Sequence, residues 1–179
     1  MKTIFEKTFV YPIRVQFEDV DYFGVLHHPV YLKLLERARS ELFLNMGVSL
    51  HEFHKEGQGI LISDVFQKFL RPAFLGKEIF VLTRVGALKQ ASIRFNQSVV
   101  DVPPTEEFLK INQSQPLEAL PGTLYWSELR TVCVELKNYS LIKIPQSIKN
   151  LWGIPQNEKD LPKEFTDIRL HPHRRTQGD

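Results

Sequence analysis

From Ile13 onward the first part of the chain alternates, with Ile13, Val15 and Phe17 apolar and Arg14 and Gln16 polar. This period of two marks a half-buried strand over residues 9–17. The period changes at Pro29. Through residues 29–46, Val30, Leu34, Leu35, Ala38, Leu42 and Met46 recur at helical spacings opposite Lys33, Arg37 and Glu41. They predict an amphipathic helix about 27 Å long at 1.5 Å per residue. Pro29 suits its first turn and Gly47 its end. After a polar piece around residues 49–55, with room for a helical turn, residues 60–70, 78–88, 92–100 and 124–136 are rich in Ile, Val and Phe and read as strands. Residues 86–90 form the expected connection between the second and third of these. Consecutive strands with short connections and no helices between them predict an antiparallel sheet. One long helix with no comparable pattern downstream predicts that the sheet wraps around it, an α+β arrangement.

Residues 102–122 interrupt the series of strands. They are polar, carry Pro103, Pro104 and Pro116, and read as an inserted loop with room for a helical turn. The expectation is a mobile surface segment rather than a shield over a pocket, because surface insertions cost little stability. A chain of 179 residues with 42% hydrophobic residues buries one substantial core. The predicted domain covers residues 1–152, followed by a polar tail over 153–179.

Charge and targeting signals narrow the classes further. A net charge of +2 is too small to announce a nucleic-acid binder. Arg169, His171, His173, Arg174 and Arg175 in the tail read as a solvated basic segment. No run reaches the roughly 18 apolar residues of a membrane helix, and the first residues meet charge too early for a secretory leader. The expectation is therefore no membrane span and a cytoplasmic location. Cys133 is the single cysteine, which leaves no internal disulfide and no cysteine-based zinc site, and its strand setting predicts a buried thiol.

The most chemically loaded stretch runs from Phe17 to Tyr31 and contains Glu18, Asp19, Asp21, Gly24, His27 and His28. It joins the first strand to the helix, so carboxylates and unpaired helix N–H groups fall close together. That combination suits hydrolysis of an ester or thioester. Taken alone, an Asp before a helix is more often a turn or capping residue, and Asp19 reads as an acceptor within the loop. His27, His28 and Asp21 make a poor metal set, since adjacent residues seldom point to one centre. The His51, Glu52 and His54 spacing fails the helical zinc-protease pattern, and no G-x-S-x-G elbow is present.

Asp21, Gly24, His28 and Tyr31, followed by Glu36-Arg37-Ala38-Arg39, resemble the signature of hotdog-fold acyl-CoA thioesterases of the 4-hydroxybenzoyl-CoA thioesterase family. Within that family the chain is most similar to the short acyl-CoA thioesterases encoded beside the bacterial Tol-Pal genes. Phe69-Leu70-Arg71-Pro72-Ala73, Leu75-Gly76-Lys77, Thr131-Val132-Cys133-Val134-Glu135 and Ile144-Pro145-Gln146-Ser147-Ile148 extend the resemblance over residues 8–150, outside 102–122. It implies a hotdog fold, with an antiparallel sheet around one central helix, and hydrolysis of an acyl-CoA to free acid and coenzyme A. Asp21 would be general base or nucleophile. Gly24 would turn the chain and let the substrate carbonyl approach, and the backbone N–H of His28 would bind the oxyanion, with the role of its imidazole open. Glu36 would support the site or bond across a subunit boundary.

The resemblance further implies no metal and no cofactor beyond the coenzyme A of the substrate. It implies a homodimer or homotetramer with the site at the subunit interface. Phe17 departs from the tyrosine that the Tol-Pal-associated enzymes tend to carry. Two alternatives stand beside this reading: an aryl-CoA thioesterase, as for 1,4-dihydroxy-2-naphthoyl-CoA, and a non-catalytic module binding acyl-CoA or acyl-carrier protein.

Overall fold

The computed structural model describes residues 7–152, and the basic tail positions lie outside the described residues. Strand β1 (Phe9–Arg14) leads through a single 3-10 turn at Phe17–Asp19 and a tight loop into helix α1 (His28–Asn45). Helix α2 (Leu50–Lys55) follows, then β2 (Gln58–Phe69), β3 (Glu78–Leu88), β4 (Ser92–Val100), α3 (Glu106–Ile111), β5 (Thr123–Glu135) and α4 (Gln146–Leu151). The five strands form one antiparallel sheet in the order β1-β3-β4-β5-β2. It curves around α1.

Burial explains the position of the helix. Tyr31, Leu34, Leu35, Ala38, Leu42 and Phe43 form the buried stripe of α1. The first four pack with Ile79, Val81, Val99 and Tyr125, and the last two with Val85, Phe95 and Leu129. Successive strand residues alternate between faces, so these sheet partners come from one face only. Gly47 ends the helix at φ +76°, a left-handed conformation that glycine adopts without steric cost. The Val48 N–H then reaches back to the Phe43 carbonyl (2.9 Å), closing the last turn. Ile144 and Ile148, with Trp152 after α4, complete the core around Phe43. Cys133 is buried there too, and burial pushes its thiol up to about 11.

Three expectations need correction. Strand β1 stops at Arg14, because Asp19 draws residues 16–19 into a turn by accepting a hydrogen bond from the Gln16 N–H (2.9 Å). Residues 86–88 belong to β3 rather than to a connection. The register shifts between Val85 and Ala87, and a Cβ on Gly86 would lie 2.6 Å from Asn96 Nδ2, so this glycine serves a bulge. The chain reverses after it, where the Lys89 N–H bonds the Ser92 carbonyl (2.9 Å).

The third correction concerns residues 102–122, which are packed rather than loose. Thr105 caps α3 by accepting from the Phe108 N–H (3.2 Å), and Leu117–Ala119 forms a 3-10 turn. Leu117 and Leu120 are buried with Leu82 and Val100 on the sheet face opposite α1. Ser98 Oγ donates to the Leu117 carbonyl (2.8 Å), and the Arg84 guanidinium donates to the carbonyls of Asn112 (3.1 Å) and Gln115 (2.5 Å). The insertion therefore covers the outer side of the sheet and stands away from the helix. Leu120→Ala is expected to lower unfolding free energy by about 2–4 kcal/mol in a denaturant titration; a loop outside the core would lose less than about 0.5 kcal/mol.

Candidate active site

The loop before α1 is built by its own backbone. Asp21 N–H bonds the Val25 carbonyl (2.9 Å) and the Gly24 N–H bonds the Asp21 carbonyl (2.9 Å), with a bridge between Val20 and Leu26 closing the base. Gly24 has φ +73°, and nothing lies within 4 Å of where its Cβ would be. Conformation, not space, selects glycine here. The Leu26 N–H reaches the Ala73 carbonyl (2.8 Å), tying the loop to the segment after β2, and the His27 N–H closes the loop on the Asp19 carbonyl (2.8 Å).

Asp21 and Gly24 therefore occupy one tight turn, and His28 begins the helix that the turn delivers. The Asp21 carboxylate is half-buried and accepts from the Phe23 N–H (2.8 Å) through Oδ1. This Asx-type bond fixes the carboxylate beside the helix entry. At α1, His27 is the N-cap without capping through its side chain, and Pro29 lies in the first turn. Pro29 has no N–H and the Val30 N–H bonds the His27 carbonyl (2.9 Å), while the His28 N–H at the first helical position precedes any intrahelical acceptor. Both imidazoles are exposed and meet edge to face at 4.7 Å. Asp19, whose carboxylate is taken by Gln16, is engaged within the loop rather than in an acid/base pair with Asp21. Among the described residues no group of three or more His, Cys, Asp and Glu side chains is arranged to hold a metal.

Aromatic packing anchors this end of the helix. Tyr31 stacks on Tyr125 with ring centroids 4.6 Å apart, and Phe69 meets both edge-on at 5.4 and 5.1 Å. Tyr125 donates its hydroxyl to Gln67 Oε1 (2.8 Å), and burial pushes its phenol up to about 12. Burial also raises Tyr31, offset by a backbone hydrogen bond from Ala73. Both phenols therefore stay neutral across the ordinary pH range. Around the loop, Phe17, Tyr22, Phe23 and Phe74 present exposed rings, Tyr22 at 97%. A cluster of this kind on a folded surface marks a contact site.

Deeper in, Arg39 is 3% exposed and donates to Gln97 Oε1 (2.5 Å) and to Glu36. Desolvation lowers its affinity for the proton, and Glu36 opposes that effect. Gln97, fully buried, donates in turn to the Leu35 carbonyl (3.1 Å) and to Thr83 Oγ1 (2.9 Å). Glu36 thus pairs within its own helix. The partnership of Arg39 with Gln97 was invisible in the sequence, since a glutamine 58 positions away carries no local pattern.

The sequence profile of the thioesterase-like superfamily matches residues 15–150. An acyl-CoA thioesterase, YbgC, of Helicobacter pylori is 33% identical over 139 residues, covering 77% of this chain and 95% of that protein. The chloroplastic acyl-acyl carrier protein thioesterase ATL3 of Arabidopsis thaliana is 27% identical over 138 residues, covering 77% of this chain and 64% of that one. Among solved structures, a 1,4-dihydroxy-2-naphthoyl-CoA thioesterase from Synechocystis superposes with a TM-score of 0.67 at 16% identity, covering 82% of this chain and 96% of the other. That likeness establishes the shared fold.

The left-handed backbone at Gly24 makes a direct prediction. Gly24→Asn should retain more stability than Gly24→Val, by about 1–2 kcal/mol in thermal or chemical unfolding. Equal losses would show that the turn does not hold this conformation.

Proposed function

The chain belongs to the thioesterase-like superfamily, and from that premise we propose that it hydrolyses the thioester of an acyl-coenzyme A to the free acid and coenzyme A. The observation that carries this reading is the placement of a fixed carboxylate, a left-handed glycine and a helix N-terminus within a single turn of chain. The 33% identity to an acyl-CoA thioesterase supports it over nearly the whole of that relative.

Asp21 acts on the carbonyl carbon by one of two routes. As general base it takes a proton from water as the water oxygen bonds to carbon. As nucleophile its own oxygen bonds to carbon, and water then hydrolyses the resulting anhydride. In both, the carbon–sulfur bond breaks and the sulfur leaves with the coenzyme A, to be protonated as the thiol. Negative charge gathers on the thioester oxygen meanwhile. The first-turn N–H of His28 stabilises it, aided by the positive end of α1. Gly24 keeps the approach to this donor free of side chains. No cofactor or metal enters the reaction.

The working unit proposed here is a homodimer, alone or paired into a homotetramer. Strand β2 is an edge of the sheet, 12 residues long, and exposes Leu61, Ile62, Val65, Phe66 and Phe69. A long apolar edge is a template for pairing with another strand, and β2 of a second copy satisfies it. The exposed aromatic residues around the Asp21 loop then fall near the join.

Asp21→Asn tests the chemistry, because asparagine retains the oxygen that accepts from Phe23 while losing the carboxylate. Release of free coenzyme A thiol should fall about 10²- to 10⁴-fold with thermal stability preserved. Acyl-CoA binding without turnover in the wild type would instead favour a binding module. Phe66→Lys tests the assembly: light scattering should show a shift towards monomer with activity falling in parallel, and a fully active stable monomer would overturn the dimer.

A further inference from the structure

Strand β2, a free edge of the sheet, changes phase at its middle. Its register against β5 shifts between Ile62 and Asp64. Gln58, Ile60 and Ile62 before the shift and Val65, Gln67 and Phe69 after it therefore all stand opposite alternate residues of β5, from Glu135 to Tyr125. These six share one face. It is the face of α1, since Ile60 packs with the cluster around Phe43 and Phe69 meets Tyr31. The backbone divides in the same way. The Leu136 N–H bonds the Gly57 carbonyl (2.7 Å) and the Leu70 N–H bonds that of Leu124 (2.8 Å). Every second residue of an antiparallel pair turns its N–H and C=O to the same neighbour, so the six turn theirs away from β5, towards the open edge.

The strand is self-complementary about the point between Ser63 and Asp64. A two-fold axis there sets Ile62 against the partner's Val65, Ile60 against the partner's Gln67 and Gln58 against the partner's Phe69. In every pair both residues lie on the α1 face and both present open N–H and C=O groups, so the ladder runs through the join. A register displaced by one residue opposes the two faces, and one displaced by two parts the two irregularities. Charges that would guard an edge against pairing are engaged within the chain. Asp64 is held by Arg130 (2.7 Å) and the Ser63 hydroxyl (2.8 Å), and Lys68 lies over the rings of Phe66 and Trp126. The other edge strand, β1, is half as long and has no N–H at Pro12, so β2 finds its match in β2.

We propose that two copies join through β2 in this register and that each completes the other's active site, the partner's Gln58 walling the space beside Phe69 and Tyr31. The inference rests on the thioesterase reading and its dimer, and specifies how the site is shared. Cα atoms of a hydrogen-bonded antiparallel pair lie about 5.5 Å apart, so the partner's Gln58 adjoins Phe69. The Phe69 ring in turn meets that of Tyr31 in α1, with centroids 5.4 Å apart. Gln58 follows α2 after a short turn and lines one cavity with Phe53 and His54 of that helix. Helix α2 of each copy is thereby carried to the helix entry of the other.

Disulfide trapping reads the register. In Leu61→Cys/Phe66→Cys the two positions face each other in a non-hydrogen-bonded pair, with Cα atoms about 4.5 Å apart, and Cys133 is buried. In Leu61→Cys/Lys68→Cys they lie on the diagonal, about 7–8 Å apart. On mild oxidation the first should form covalent dimers at least about tenfold faster. Faster linking of the second, or no linking in a protein that light scattering shows to be dimeric, overturns the register and leaves hydrolysis intact. A stable monomer overturns register and dimer together. Mixed chains read the shared site. Gln58→Trp, or Gln58→Arg should the first fail to fold, should slow release of coenzyme A thiol about tenfold or more. Co-expressed with Asp21→Asn it should recover about a quarter of the wild-type rate, because half of the dimers formed at random hold one site with both residues intact. No recovery, or full activity of the Gln58 variant alone, overturns the sharing. If no acyl-CoA is hydrolysed, the enzymatic reading fails separately and the disulfides still decide the register.

Discussion

The bond between Arg39 and Gln97 sets the frame for everything around it. An apolar helix on an apolar sheet has several nearly equivalent resting positions, related by small slides and rotations. A buried guanidinium has far fewer, because leaving Gln97 gives up a buried hydrogen bond to a charged group, a cost of about 1.5–3 kcal/mol. Gln97 sits on β4 and holds both the Leu35 carbonyl of α1 and Thr83 of β3. The helix is thereby pinned along its axis and about it. Its N-terminus, some 16 Å away at 1.5 Å per residue, can then be placed beside a loop whose own geometry is set by Asp21 and Gly24.

That placement leaves the sheet unevenly covered. Because α1 packs on β3, β4 and β5, the edge strand β2 keeps Ile62, Val65 and Phe69 exposed. One strand therefore has two surfaces with unmet needs, a backbone edge and an apolar face. In the reading developed here a second copy meets the first. The aromatic group of Tyr31, Phe69 and Tyr125 stands where these meet, which gives it a structural reason to be rigid.

Local pattern announced most of this fold. The helical recurrence of Leu34, Leu35, Ala38 and Leu42 and the stop at Gly47 correspond to elements in the structure, whereas the period-two run from Ile13 outlasts β1, which ends at Arg14. The turn at Asp21 and Gly24 was legible from residue types whose backbone habits are narrow. What escaped was decided by distant partners. Gly86 looks like a turn residue until Asn96 is seen beside it, and Asp19 ends a strand that the alternation alone would continue. Gln97 looks like an ordinary polar position in a strand. Only the three-dimensional neighbours make it a keystone.

The packed insertion converts a one-sided sheet into the middle of a three-layer sandwich, with α1 on one side and α3 with the Leu117 turn on the other. Two such sheets stacked back to back would have to expel a layer held by buried leucines and by the bonds from Ser98 and Arg84. The outer face is closed as a route for growth of the assembly. On the function proposed above, any increase in copy number runs through the sheet edge or the helix side, the two regions that adjoin the Asp21 loop, and quaternary structure and catalysis then share the same ground.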